Sequence, residues 1–405
     1  MNFKTLGIGA LALVAVACSH KSSVVQDDEF ALIIDNSLQT AEKQAMAMAE
    51  ALRDSTGLLP RTLREDGSVR MSDSGWWCSG FFPGVLWYLY ENSGDKELLE
   101  YAREYTSRVE DQQYTTDNHD VGFMINCSFG NGYRLTGEEA YKDVMLNAAK
   151  SLSTRYTPET GLIRSWDHHQ DRWNYPVIID NMMNLELLLW AAEQANDTTL
   201  KNIALSHADK TLVNHFRPDY STYHVVSYNP ATGEVEKQET FQGYADDSTW
   251  ARGEAWALYG YTMMYDKTGD KKYLEAAEKI ASFIINHPNM PADGIPYWDF
   301  DAPDQPNALR DASAAAIMSS ALIQLSQHVD QPLRDEYLAF AKKQLTTLSS
   351  DEYLAAPGTN GNFILRHGVG HLPGNSEVDV PLTYADYYYV EALTRFKKLM
   401  EEDKK

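Results

Sequence analysis

The sequence predicts an all-α fold, a closed ring of six helix hairpins in two concentric layers. Three observations predict it. Helical periodicity dominates the 405 residues, and no strand alternation is sustained. The helices are of two kinds, amphipathic and charged or apolar on nearly every side, and the two kinds alternate. Each passage from an apolar helix to an amphipathic one carries a similar signal: Gly or Asn ends the first, and Asp or a similar residue caps the next.

In chain order, residues 1–17 read as a signal peptide, with Lys4 in the positive start and a run from Leu6 to Ala17 too short for a stable span. Ala17 then precedes Cys18, a pattern that resembles a bacterial lipoprotein processing site with Cys18 as the lipidated residue. Ala15 departs from it, where such sites more often carry Leu, and cleavage without lipidation is the alternative. Residues 18–29 read as a polar tether and residues 30–405 as a single domain. The reading is of an exported, periplasmic protein whose membrane contact is through a lipid anchor at most.

Amphipathic helices are expected at 35–53, 96–110, 138–153, 198–215, 271–286 and 333–348. Apolar ones are expected at 80–90, 121–135, 178–192, 251–265, 312–327 and 384–396. The turns between them are Ser93-Gly94-Asp95, Thr136-Gly137-Glu138, Asn196-Asp197, Thr268-Gly269-Asp270 and Val329-Asp330. An amphipathic helix needs burial on one face and an apolar helix on all, so the apolar set forms the inner ring of an (α/α)6 barrel. An open solenoid is the rival, but it does not need six near-apolar helices. In a closed ring the inner helices run in one direction and their N-termini share one mouth.

Composition sets the function classes. At 43% hydrophobic and 11% aromatic the chain can bury a large core. A net charge of −23 excludes a nucleic-acid binder, which needs clustered Lys and Arg, but not a small anionic substrate held by a few local cations. Cys78 and Cys127 lie in core-like helical sequence and read as buried free thiols, although an oxidising compartment permits a disulfide. No Gly-rich phosphate loop, Cys-pair zinc spacing or Gly-x-Ser-x-Gly elbow is present. His168 and His169 adjoin Asp167, but adjacent side chains converge poorly on one ion, so no metal or cofactor is expected.

The mouth of the ring is where chemistry collects. The loops before the inner helices hold Trp76, Trp77, Asn118, His119, Asp120, Trp166, His168, His169, Asp180, Gln242, Asp246, Asp247, Trp250, Arg252, Trp298, Asp299, Asp311, His367, His371 and Asp386. Alone, Asp180 at the head of the apolar run 176–190 would be a helix cap, and any one Trp would be core packing. Together, tryptophans beside carboxylates suit sugar recognition, in which aromatic faces stack on C–H faces of the ring and polar groups take the hydroxyls.

These residues resemble the unsaturated glucuronyl hydrolases, glycoside hydrolase family 88, over most of the chain. Asn118-His119-Asp120-Val121-Gly122-Phe123 resembles the family's first-aspartate motif, and Ile178-Ile179-Asp180-Asn181 with Asn184-Leu185 the second. Tyr223-His224-Val225-Val226, Gln242-Gly243, Ser248 through Trp256 and Tyr384 through Leu393 follow in the family's order. The resemblance implies an (α/α)6 barrel that removes a 4,5-unsaturated uronic acid from the non-reducing end of lyase-generated oligosaccharides, by hydrating the double bond. It implies Asp180 as general acid and base with Asp120 beside it, and His119, His224, Gln242, Arg252, Trp256, Trp76, Trp77 and Trp166 around the sugar or the water. A Ser-x-x-Ser-x-Lys motif found in members acting on sulfated glycosaminoglycan fragments is missing. The nearest segment is His371-Leu372-Pro373-Gly374-Asn375-Ser376, without Lys. Two other readings stand beside this one: an unsaturated rhamnogalacturonyl hydrolase acting on pectin fragments, and a glycan-capturing lipoprotein without catalysis.

Overall fold

The computed structural model describes Val24 and residues 27–403. The expected signal peptide and Cys18 lie outside the described residues. The chain opens on α1 (Asp28–Ala51), capped by Asp27, so helix already occupies the end of the stretch expected as tether. A hairpin of β1 (Leu58–Leu63) and β2 (Val69–Asp73) follows, then α2 (Phe81–Ser93) and α3 (Lys96–Ser107). Next come α4 (Val121–Ile125), α5 (Asn131–Thr136) and α6 (Glu139–Ser153), then β3 (Tyr156–Thr157), β4 (Leu162–Ile163) and β5 (Pro176–Ile178). After α7 (Leu185–Ala195) and α8 (Thr198–Asn214) stand β6 (Val225–Tyr228) and β7 (Val235–Glu239). The last part holds α9 (Ala251–Thr268), α10 (Lys271–Asn286), α11 (Ala312–Leu325), α12 (Leu333–Leu348), β8 (Gly368–His371), β9 (Ser376–Val380) and α13 (Thr383–Glu402).

The architecture is the (α/α)6 barrel. The inner ring runs α2, α4 with α5, α7, α9, α11 and α13, and it closes because α13 packs on α2. Helices α3, α6, α8, α10 and α12 each pack outside the inner helix they follow, and α1 lies against α13 and α2. Their apolar faces join the inner ring in one continuous core from Phe30 to Met400. The turn signals act as read in most hairpins. Gly94, Gly137 and Gly269 end inner helices in the left-handed conformation, as does Asn196 at φ 51°. Asp95, Asp197 and Asp270 each accept the first free N–H groups of the next helix. Two turns depart: Glu138 precedes α6 without a side-chain capping bond, and beyond Asp330 helix α12 begins after Pro332 with no side-chain cap.

Three departures from the sequence reading matter for the site. Four small antiparallel sheets stand in the loops, ordered β1-β2, β3-β4, β5-β6-β7 and β8-β9. The second inner helix is broken by a π-helical turn at Asn126–Gly130. The third does not begin at Ile178: strand β5 ends there, and a 3-10 turn, Ile179–Asn184, carries Asp180 into α7. Among the described residues no helix is long and apolar enough to cross a membrane.

Candidate active site

Two loops deliver two carboxylates. Asp120 sits immediately before α4, its N–H donating to Asn118 Oδ1 at 2.9 Å. Asp180 is the second residue of the 3-10 turn. Neither carboxylate caps the helix it precedes. The reading of Asp180 as a helix cap therefore fails on geometry: Asp180 Oδ2 is buried and has no hydrogen-bond partner within the protein.

Each carboxylate has a buried histidine behind it. Strand β5 pairs with β6, and Ile179 N–H donates to His224 C=O at 3.1 Å, which sets His224 beside Asp180. The His224 Nδ1 accepts two backbone N–H groups, from Phe241 (3.1 Å) and Gln242 (3.2 Å). The ring proton is therefore on Nε2, which faces Asp180 Oδ2 at 3.7 Å. His119 Nε2 faces Asp120 Oδ1 at 3.3 Å. Burial drives both imidazoles toward the neutral form, His119 to about 3 and His224 well below the usual histidine range.

The two aspartates share one cavity of about 230 Å³ at the N-terminal mouth of the inner ring. Its aromatic walls include Trp76, Trp77, Trp166 and Phe241. Trp166 meets His224 and Phe241 edge-on and stacks on His168 at 5.2 Å. Trp77 packs on Tyr384 at 4.8 Å, while Trp76 is 37% exposed at the rim. Two cations reach the cavity, and each already has a partner. Arg252 is buried, paired with Asp311 at 3.0 Å, and donates to the carbonyls of Val369 and Gly370. Arg61 pairs with Glu377 and lies 3.7 Å over the Trp76 ring.

The electrostatics favour a proton on this pair. Burial raises the Asp180 pKa to about 7, against the opposing pull of Arg252 and of the Trp256 indole. Burial, and then the charge of Asp180, holds Asp120 well above the ordinary carboxylate range, with Asn184 and Arg155 working the other way. Two carboxyl groups so placed hold one proton between them near neutrality. A pocket with one protonated and one ionised acid, under aromatic faces, can protonate a sugar-ring atom and activate a water.

Residues 59–397 match Glycosyl Hydrolase Family 88. The chain belongs to that family. An unsaturated glucuronyl hydrolase of Formosa agariphila is 48% identical over 325 residues, 80% of each chain. A Bacillus sp. unsaturated glucuronyl hydrolase is 33% identical over 370 residues, 86% of this chain and 96% of that one. The crystal structure of an unsaturated glucuronyl hydrolase specific for heparin superposes with a TM-score of 0.89 at 49% identity, covering 93% of this chain and 99% of the other.

Of the residues that the family resemblance marked, Asp120, Asp180, Trp76, Trp77, Trp166, Gln242 and Arg252 line the cavity. His119 and Trp256 do not: both are fully buried, His119 behind Asp120 and Trp256 between Phe123 and Tyr388. His224 is 3% exposed and reaches the site through Asp180. Several acids of the mouth loops serve the scaffold. Asp299 accepts from Tyr244 N–H and Ser248 Oγ–H, Asp311 caps α11, and Asp386 accepts from Ile364 and Leu365 N–H. The sequence reading missed Arg61 and Glu377. They come from β1 and β9, more than 300 residues apart, and no local pattern marks either. Cys78 and Cys127 are buried free thiols. Among the described residues no group of three or more His, Cys, Asp or Glu is arranged to hold a metal ion.

Proposed function

We propose that this cavity takes the 4,5-unsaturated uronic acid at the non-reducing end of a lyase-generated oligosaccharide, with Asp180 as general acid and base. The enzyme is an unsaturated glucuronyl hydrolase, and the reaction is hydration of a vinyl ether rather than direct displacement at the anomeric carbon. Asp180 gives its proton to C4. A water adds at C5 and returns a proton to the Asp180 carboxylate. The C5 hemiketal opens to a ketone, and the exposed hemiacetal at C1 releases the rest of the chain. In the reactive form the one proton of the pair sits on Asp180, and Asp120, although burial and the Asp180 charge raise its own proton affinity, is the ionised partner that orients the ring. His224, as the Nε2–H tautomer, donates toward Asp180 or the water beside it. The tryptophans stack on the sugar, and Gln242 and Arg252 order the wall that meets it.

The observation that carries this reading is the pair of buried carboxylates, one with a pKa near 7, beneath tryptophans in one sugar-sized cavity. The relative specific for heparin supports glycosaminoglycan lyase products as the substrate class. The test is a panel of lyase-generated disaccharides, followed by loss of the ultraviolet absorbance of the conjugated double bond. Turnover of glycosaminoglycan-derived members is expected; turnover confined to pectin-derived members would overturn the substrate class, and none at all would overturn catalysis.

The N-terminal pattern supports export, with Cys18 as a lipid attachment point and the periplasmic face of a membrane as the location. Replacing Cys18 by Ala should release the protein from the membrane fraction. Unchanged processing and fractionation would leave simple secretion.

A further inference from the structure

Asn184 is fully buried and ends the 3-10 turn that begins beside Asp180. Its side chain leaves its own element. Oδ1 accepts the N–H of Phe123, in the element headed by Asp120, at 2.9 Å. That bond fixes which end of the amide is which, so Nδ2 is the atom that faces His119 Nδ1 at 3.5 Å. An amide donor there makes Nδ1 the acceptor and leaves the imidazole proton on Nε2. Nε2 lies 3.3 Å from Asp120 Oδ1 without completing a hydrogen bond. The approach is close enough to need Gly122: a Cβ at that position would stand 2.5 Å from Asn184 Cα and Oδ1. The arrangement repeats the one at Asp180, where backbone N–H groups fix the tautomer of His224.

We propose that Asn184 is a positioning residue that ties the two aspartate-bearing elements together and, by fixing the His119 tautomer, sets an N–H beside Asp120, so that the shared proton resides on Asp180. The proposal rests on the reading of the two carboxylates given under Proposed function. The charged and titratable groups facing Asp120 are few. Asp180 opposes its ionisation, Arg155 favours it, and the Cys78 thiol, itself pushed up by burial, stays neutral. Across the cavity Arg61 is paired with Glu377 and Arg252 with Asp311, which leaves the Asn184 amide itself and the His119 N–H whose tautomer it fixes as the donors on the Asp120 side.

Asn184→Leu keeps the bulk and removes both bonds. Asp120 then ionises less readily, so the acid limb of the kcat–pH profile should move to higher pH. The value of kcat should fall about 10- to 100-fold with KM nearly unchanged. A wild-type profile and kcat in a folded Asn184→Leu preparation would overturn the proposal. Should that variant not fold, the intact enzyme still decides: labelled with 15N-histidine and assigned with His119→Asn, it should show the His119 proton on Nε2, and a proton on Nδ1 would overturn the proposal. Asp120→Asn and Asp180→Asn separate the two levels. If both keep wild-type turnover, the reading of the carboxylates fails and the proposal with it. If both are inactive and Asn184→Leu behaves as wild type, only the role of Asn184 fails.

Discussion

Glu391, in the last inner helix, and Asp180, before the third, are both buried carboxylates of the same ring. Their surroundings differ in one respect. Glu391 accepts from Tyr88 Oη (2.8 Å), Tyr259 Oη (3.0 Å), Ser320 Oγ (2.6 Å) and Arg395 (3.1 Å). For Asp180 Oδ2 the facing histidine N–H stands 3.7 Å away, and that oxygen is left without a bond. Glu391 also borders a cavity, of about 360 Å³, lined largely by residues of the inner helices. A cavity beside a buried acid is therefore present twice, and only the mouth leaves its acids short of donors. Four donors, one of them a cation, spend the lone pairs of Glu391 on structure. Asp180 keeps a lone pair and a proton for use.

A raised pKa does not by itself separate the two cases. Burial also raises Asp386 to about 7 and Glu254 to about 8. Asp386 is occupied by two backbone N–H groups; Glu254 accepts the N–H and hydroxyl of Thr222 on Oε1, and its Oε2 is buried without a partner. Neither lines the cavity at the mouth. The combination that marks the site is proton affinity together with an unspent oxygen facing open volume.

The sharpest way to break the comparison is Asp180→Asn, which should cut kcat by about 10³- to 10⁴-fold while substrate binding persists. Asp120→Asn should be nearly as severe. Any residual activity there should show the limb that reports Asp180 losing its proton at lower pH, because the opposing charge is gone. Stability gives the opposite sign. Asp180 rises from 3.8 to about 7 on folding, so the native state binds the extra proton between those values. The stability this provides is complete below about pH 4 and is lost as pH rises through 7, by up to about 4 kcal/mol. Asp180→Asn should therefore melt higher than wild type at pH 8. A lower melting temperature with a near-normal rate would return Asp180 to a structural role.

Arg252→Ala is expected to be next in size, lowering kcat/KM about 10- to 1000-fold. Its guanidinium holds the Val369 and Gly370 carbonyls and Asp311 at the wall facing Asp180. The loss combines a charge-assisted contact with misplacement of that wall. An unchanged kcat/KM would place Arg252 outside the functional site, despite its position on the cavity.

How far the sequence carried the reading follows from the range of each signal. The barrel was legible because each hairpin is local: an apolar helix, a Gly or Asn stop, an acidic cap. Asp120 and Asp180 were legible because inner-helix mouths were expected to converge. The strands β3 and β4, two residues each, are too short for any alternation to register. The 3-10 turn at Asp180 was hidden inside an apolar run that reads as continuous helix. His119 and Trp256 were placed against the sugar by resemblance, and the structure sets them one layer behind, since both are fully buried. Arg61 and Glu377 meet only because β1 packs beside β9 when the ring closes.

The smallest expected effect on turnover belongs to Glu391→Gln, and it is the control for the whole comparison. The amide keeps the shape of the side chain, and its oxygen still accepts from part of the Tyr88, Tyr259 and Ser320 set. Its NH2 group meets donors where the carboxylate met them as an acceptor, and Arg395 loses its charged partner. Breaking such a pair costs roughly 3–5 kcal/mol when both groups are buried. The Arg395 side chain is 25% exposed, so the expected cost is lower, about 2–3 kcal/mol, and it should appear as a fall of several degrees in Tm. The rate should stay within about twofold of wild type, because no atom of Glu391 reaches the cavity that holds Asp120 and Asp180. Measuring kcat and Tm on Glu391→Gln and Asp180→Asn at pH 8 sets the two ends of the ring against each other: one variant loses stability and keeps turnover, and the other loses turnover and gains stability. A large loss of kcat in Glu391→Gln would mean that the far network is coupled to the carboxylates at the mouth, and the separation of scaffold acid from reactive acid would fall.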